Sequence, residues 1–196
     1  MIKKIISLTF LILVLTSCTT RGLSTFGRGV SISFDPRTVG MQIDDTLMQK
    51  SLVAKLTIIK KKYFLSIQIE ILDGRIFLTG KVDEPEEKIK ITKMAWETKG
   101  VRSVKNAIEI KGQSNFKNSA KDILITTQLR TALLFNKLIK SGNYTLETIN
   151  KTIYIFGIAT NDKEKQEVID EANEIYDVEK VVPSIYLISE LSRNKI

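Results

Sequence analysis

Residues 67–80 read IQIEILDGRIFLTG, and residues 144–157, 77 positions later, read YTLETINKTIYIFG. In both stretches apolar residues alternate with polar ones on either side of a two-residue turn, Asp73-Gly74 or Asn150-Lys151. Alternation with a period of two is typical of β-strands, and Asp-Gly favours the positive φ angles of a tight hairpin. Each stretch therefore predicts a β-hairpin whose second strand ends in glycine.

The two hairpins belong to a longer internal repeat. Residues 45–110 align without a gap on residues 122–187, with 15 identities in 66 positions, against roughly four expected by chance at ordinary compositions. The identical pairs include Asp45/Asp122, Leu47/Leu124, Leu52/Leu129, Leu56/Leu133, Ile76/Ile153, Gly80/Gly157, Ala95/Ala172, Val101/Val178, Val104/Val181 and Ile108/Ile185. Self-similarity at a fixed shift indicates a duplicated unit.

Each unit has the same predicted order of elements. Asp45 or Asp122 can cap a first helix, whose apolar residues recur four apart. These residues are Met48, Leu52 and Leu56 in the first copy, and Ile125, Leu129 and Leu133 in the second. After the hairpin, a second helix is predicted over about residues 84–99 or 161–176, and a last strand follows. Because proline has no ladder donor, Pro183 predicts that this strand lies at a sheet edge, or pairs irregularly, in the second copy. The order αββαβ predicts an α+β fold, with two helices covering one face of a three-stranded sheet.

The N-terminal residues predict export and lipidation. Two lysines precede an apolar run over residues 5–15, which is shorter than the roughly 20 residues that span a bilayer. Leu15-Thr16-Ser17-Cys18 resembles the bacterial lipobox, in which the cysteine is acylated and the signal is removed before it. We predict a signal peptide over 1–17, lipidated Cys18, and a flexible tether over 18–42. The alternative is a plain signal peptide with an incidental cysteine.

The composition excludes much of the common hydrolase chemistry. The chain has no histidine and one cysteine, so it contains neither a His/Cys zinc site nor a Ser–His–Asp triad. The available acidic pairs are Asp73 with Asp83, and Glu70 with Glu147, but the two glutamates fall on the polar faces of their strands. We therefore expect no catalytic residues, no metal site and no cofactor.

Motifs at the end of each unit resemble the BON domain. The first copy has Ile76-Phe77-Leu78-Thr79-Gly80, followed after the second helix by Gly100-Val101 and Val104. The second copy keeps the strand and both valines, but it has Asp177 where the family has glycine. DPRTVGMQIDD at 35–45 and DILITTQLRTALL at 122–134 are similar to segments of outer-membrane lipoproteins that carry two BON domains. We place BON domain 1 at 43–113 and BON domain 2 at 117–191.

The resemblance implies a lipid-anchored outer-membrane protein that faces the periplasm, binds anionic phospholipids such as phosphatidylglycerol, and supports envelope integrity without catalysis. It also implies that the first helix of the second copy meets lipid. The family has an aromatic anchor where this chain has Leu124, and leucine buries less area, which should weaken insertion. At 100° per residue, Leu124, Gln128, Thr131 and Phe135 lie about a quarter turn or more from the core stripe. With the surrounding cations, the predicted lipid-binding residues are Lys121, Leu124, Gln128, Arg130, Thr131, Phe135 and Lys137.

The sequence is also compatible with other interpretations of the surface. Leu124 and Phe135 are also compatible with packing against the first domain. Lys60-Lys61-Lys62 with Tyr63 and Phe64 forms a rival lipid-contact patch, and Trp96 fits either the domain interface or a bilayer surface. The acidic second helix of the second copy fits a solvated face or a basic protein partner. An adaptor that recruits an envelope protein is therefore the alternative function, while export and the lack of an aromatic-interleaved basic groove argue against nucleic acid.

Overall fold

The computed structural model describes residues 35–112 and 116–192, with side chains from 35 to 112 and from 120 to 192. The predicted signal peptide, Cys18 and most of the predicted tether lie outside these residues. In the first domain the elements are α1 (Val39–Ile59), α2 (Tyr63–Ser66), β1 (Ile67–Leu72), β2 (Arg75–Val82), α3 (Pro85–Trp96) and β3 (Ser103–Ile110). In the second they are α4 (Phe116–Phe135), β4 (Tyr144–Ile149), β5 (Thr152–Ala159), α5 (Asp162–Glu174) and β6 (Lys180–Leu187).

Each domain has a three-stranded sheet with the first hairpin antiparallel and the last strand parallel to the second. The strand orders are β1-β2-β3 and β4-β5-β6, so the predicted αββαβ fold is confirmed. A helix links the parallel strands in each domain, as a crossover between parallel neighbours requires. Pro183 lies opposite Ile155 on β6, an edge strand, as its missing N–H predicts. The short helix α2 has a counterpart in the second domain, a 3₁₀ turn over Ser141–Asn143 directly before β4.

Both hairpins turn through residues in the left-handed region. Asp73 and Gly74 have φ angles of 52° and 72°, and Asn150 and Lys151 have 46° and 60°. Lysine adopts this region at a steric cost that glycine avoids. The second copy therefore forms the same turn as the first, although it has Lys151 where the first copy has Gly74, the residue that favours this turn.

The repeated aspartates hold these turns, and the prediction that they cap the first helices is wrong. Helix α1 begins at Val39, inside the range predicted as tether, and the Thr38 hydroxyl caps it by accepting from the Met41 amide at 3.3 Å. Asp45 lies within the helix, where its carboxylate accepts from the amides of Asp73 at 2.8 Å and Gly74 at 2.9 Å. Asp122 bonds the amides of Asn150 and Lys151 in the same way. The carboxylates of Asp45 and Asp122 therefore both accept hydrogen bonds from turn amides 28 and 29 residues away in the sequence.

Each domain has its own core between its helices and one face of its sheet. In the first core α1 and α3 contribute Leu52, Leu56, Ile91 and Ala95, which pack against strand residues such as Ile76 and Leu78. In the second α4 and α5 contribute Ile125, Leu129, Leu133, Val168 and Ala172. The predicted core stripes of the second copy are thus buried, as are Leu52 and Leu56 in the first.

The opposite faces of the two sheets pack on each other. Phe77 and Phe156 are buried and stack with ring centroids 5.2 Å apart, and the Arg75 guanidinium lies 4.1 Å from the ring centroid of Tyr186. Strand residues alternate between faces, so Ile76 and Leu78 point into the first core while Phe77 points to the other sheet. The order of layers is therefore helix, sheet, sheet, helix, with α1 and α4 in opposite outer layers.

Candidate functional site

Helix α4 places a set of large apolar side chains in solvent. Its inner face is buried through Ile125, Leu129 and Leu133. Leu124 and Phe135, two of the predicted contact residues, are 57% and 77% exposed. The alternative in which these two side chains pack against the first domain is therefore not observed.

Three further exposed apolar residues were missed from the sequence. Ile123 and Leu134 lie on α4 with Leu124 and Phe135, and Leu138 follows three residues after the helix ends; all three are exposed. At 100° per residue, the four on the helix cover an arc of about 120° facing away from the core. The signal was available, because ILITTQLRTALLF at 123–135 is apolar on nearly every face, and such a helix is either buried all round or contacts something else. We call these five residues, with the exposed polar residues between them, the α4 surface.

The cations around the α4 surface differ in their contacts with carboxylates and in their exposure. Lys121 forms an ion pair with Asp177 at 2.7 Å, so it is held to the first turn after α5. Arg130, Lys137 and Lys140 are exposed. Asp177 has a φ of 70°, close to the 86° of Gly100 at the equivalent position. Asp177 therefore keeps the conformation of the glycine in the first copy, and its carboxylate binds Lys121 and Lys151.

The predicted polar contact residues have different surroundings. Gln128 is exposed, and the exposed Thr131 donates its hydroxyl to the Thr127 carbonyl at 2.8 Å. Arg130 borders a cleft of about 560 Å³ between α4 and the edge of the first domain, which Lys81, Glu109 and Glu147 also line. Burial raises the pKa of Glu147, and the nearby Arg130 guanidinium acts in the opposite direction. Thr131 thus has a hydrogen-bond partner within its own helix and Arg130 lies near Glu147, whereas Gln128 is exposed.

The residues of the rival patch in the first domain separate into two groups. Tyr63 is buried, and its hydroxyl donates to the Glu87 carboxylate at 3.0 Å. Lys60 pairs with Glu87, and Lys62 pairs with Asp83. Phe64 remains exposed. Trp96 is about half exposed at the end of α3 and is not part of the apolar clusters that join the domains.

The acidic pairs considered for catalysis hold the fold together. Asp73 is buried, and its carboxylate binds the guanidinium groups of Arg75 and Arg102 and the Ser192 amide. Asp83 pairs with Lys62 and Lys111, which lower its pKa to about 2. Within residues 35–112 and 116–192, no group of three His, Cys, Asp or Glu side chains is placed to hold a metal ion. No helix in that part of the chain has both the length and the hydropathy of a membrane span.

Comparison with known proteins agrees with this architecture. The BON domain family model matches residues 50–112 and 121–187. The chain is 25% identical over 184 residues to Outer membrane lipoprotein DolP of Haemophilus influenzae, covering 92% of this chain and 94% of that protein. It is 33% identical over 125 residues to the Anaplasma centrale "Uncharacterized protein in gshII 5'region", covering 63% of this chain and 83% of that one.

Among solved structures, CdsD, a structural protein of the Type III secretion system of Chlamydia trachomatis, is 15% identical with a TM-score of 0.30. That alignment covers 73% of this chain and 63% of the solved chain, so this chain spans just under two thirds of it. The family model accounts for both copies of the repeat, and the similarity to DolP extends over almost the whole sequence. The chain is therefore a member of the BON-domain family, with two BON domains in tandem.

Proposed function

We propose that this protein is a non-catalytic lipoprotein of the outer membrane, anchored through Cys18 and facing the periplasm, that binds anionic phospholipid through its second domain and supports envelope integrity. The observation that carries the proposal is the α4 surface, where five large apolar side chains lie in solvent beside exposed cations. Apolar tips flanked by lysine and arginine suit the boundary between headgroups and acyl chains.

The structure supports a bilayer surface as the target more than a small ligand. The α4 residues form a convex helix face, and a small ligand is usually held in a concave pocket that covers most of its surface. Cationic side chains at the rim keep their charged ends in water while their stems lie along apolar atoms. The outer-membrane location is supported by the similarity to DolP and by the lipobox-like sequence before Cys18.

Vesicle sedimentation tests the proposal. The chain from Thr19 onward keeps both domains and the tether but lacks the acylated cysteine. It is sedimented with vesicles of zwitterionic lipid, with and without phosphatidylglycerol, beside Leu124→Asp. Burial of one leucine contributes about 1.5–3 kcal/mol, so Leu124→Asp is expected to weaken binding by about tenfold or more.

Leu47→Asp is the matched control. Leu47 occupies the equivalent position on α1 and is 61% exposed, similar to Leu124. We expect binding to require phosphatidylglycerol, to weaken with added salt, and to survive Leu47→Asp. Equal losses in the two variants, or no sedimentation of the wild type, would contradict the proposed role of the α4 surface.

A second candidate function is an adaptor that recruits an envelope assembly or peptidoglycan-remodelling protein. One observation favours it: α5 presents exposed carboxylates, including Asp162, Asp170 and Glu174, which together form an acidic face suited to a basic partner. An adaptor would leave protein-free vesicles unbound and would require the partner protein.

A further inference from the structure

We infer that the first domain carries a second site for anionic phospholipid, at the corner where α1 ends and α2 begins. This corner, residues 58–65, is separate from the α4 surface. The inference rests on the proposed location at a membrane but does not depend on α4 making contact. The occupant of this corner is the surface of a phospholipid bilayer.

The corner borders an apolar groove of about 640 Å³ along α1. Its apolar lining comes from Val53, Ala54, Ile58 and Phe64, and Lys50 and Lys61 stand at its margins. The two uncharged polar side chains beside it already have partners within the fold. Gln49 donates to the Ile69 carbonyl, and the Thr57 hydroxyl donates to the Val53 carbonyl. Apart from the lysines, the groove thus offers little hydrogen bonding to align a peptide, which favours an acyl chain.

The fold itself turns the apolar tips outward. Helix α1 ends at Ile59, and Lys60 is extended, with a φ of −153°. Helix α2 then buries Tyr63, whose ring lies in the first core. This arrangement leaves Phe64 and Leu65 at 64% and 86% exposure. Consecutive exposed apolar residues at a tight corner match the way in which peripheral proteins insert side chains into a bilayer interface.

The charges at the corner complement a lipid phosphate. Lys60 and Lys62 are held at its base by Glu87 and Asp83. Lys50 and Lys61 form no ion pair with any carboxylate in the described part of the chain, and no carboxylate lines the groove. A positive rim around an apolar surface attracts an anionic headgroup while the apolar atoms meet acyl chains. An acidic rim would have been the expected arrangement for a basic protein partner.

The two sites can be tested separately because the chain from Thr19 onward contains no cysteine. Single-cysteine variants Leu65→Cys, Leu124→Cys and Lys105→Cys are labelled with the environment-sensitive dye NBD. Lys105 is exposed on the edge strand β3, away from both helix faces, and serves as the control. Each variant is titrated with phosphatidylglycerol-containing and zwitterionic vesicles.

We expect a blue shift and at least about a twofold rise in emission at position 65 with the anionic vesicles, and no change at position 105. In a Leu124→Asp background, Leu65→Asp should weaken the remaining vesicle binding by about tenfold. A response at 65 without one at 124 would support the corner and contradict the α4 surface. A response at 124 alone would overturn the inference. A shift at 65 that depends on protein concentration without vesicles would also overturn it, because the occupant would then be a second copy.

Discussion

Replacing the repeated aspartates gives two variants with the same chemical change and different expected costs. Asp45 and Asp122 each bind two amides of their own hairpin turn, one per carboxylate oxygen. Asn has only one side-chain oxygen, so Asp45→Asn or Asp122→Asn leaves one turn amide opposite an NH₂ group. The surroundings of the two positions decide how much that loss destabilises the protein.

We expect Asp45→Asn to destabilise the protein more than Asp122→Asn does. Asp45 is buried, and it also binds the Arg37 guanidinium at 2.6 Å. A buried donor left without a partner costs about 1–3 kcal/mol, and the partly buried Arg37 loses its carboxylate as well. We expect Asp45→Asn to lower the free energy of unfolding by about 2–4 kcal/mol. Asp122 is half-buried beside an exposed turn, where water can replace the lost bond, and about 1 kcal/mol is expected.

Urea denaturation of the chain from Thr19 onward measures the difference. With a slope of about 2 kcal/mol per molar urea, Asp45→Asn should move the midpoint down by about 1–2 M, and Asp122→Asn by about 0.5 M. Fluorescence of Trp96, the single tryptophan, follows the first domain, while far-ultraviolet circular dichroism follows both. Equal shifts, or a larger shift for Asp122→Asn, would refute the reasoning from burial.

Two further changes test other parts of the fold. Gly80 has a φ of 123°, and a Cβ there would lie 2.0 Å from the Ser66 carbonyl oxygen. Gly80→Ala is therefore expected to abolish soluble folded protein. The control is Gly142→Ala, which should express and melt like wild type because a Cβ at that position meets open space. The hydrogen bond from the Lys60 ammonium to Glu87 lowers the pKa of that carboxyl from 4.5 to about 2. Because the folded pKa is the lower one, this stabilisation is complete above about pH 4.5 and is lost as the pH falls towards 2. The melting temperature of wild type should thus fall more steeply than that of Glu87→Gln over this interval, and parallel curves would show that Glu87 does not contribute.

The local features of the fold were predictable because both copies report the same pattern. The alternation at residues 67–80 and 144–157 predicted the hairpins, and Asn150-Lys151 has the positive φ angles that alignment with Asp73-Gly74 implied. Pro183 lies on an edge strand, as its chemistry requires. These features depend on neighbours in sequence, which a single sequence shows directly.

Features that depend on distant residues were harder to predict. Asp45 resembles a helix cap until its turn partners, 28 and 29 positions away, are known. The contact between the sheets was also missed, although Phe77 between Ile76 and Leu78 forms an uninterrupted apolar run, which is typical of a strand buried on both faces. At the candidate site the exposure of Leu124 and Phe135 followed from helical spacing. The ion pair between Lys121 and Asp177 was not predicted, because the two residues are 56 positions apart in the sequence.

The stacked contact of Phe77 with Phe156 makes the chain equivalent to a dimer whose subunits are joined by a covalent linker. Either BON domain alone would leave one apolar sheet face uncovered and would need a partner from solution. Joining the two copies turns that encounter into an intramolecular event, with an effective concentration set by the short connection between β3 and α4. The shielding of both sheet faces is thus independent of how sparsely the protein is distributed in the envelope.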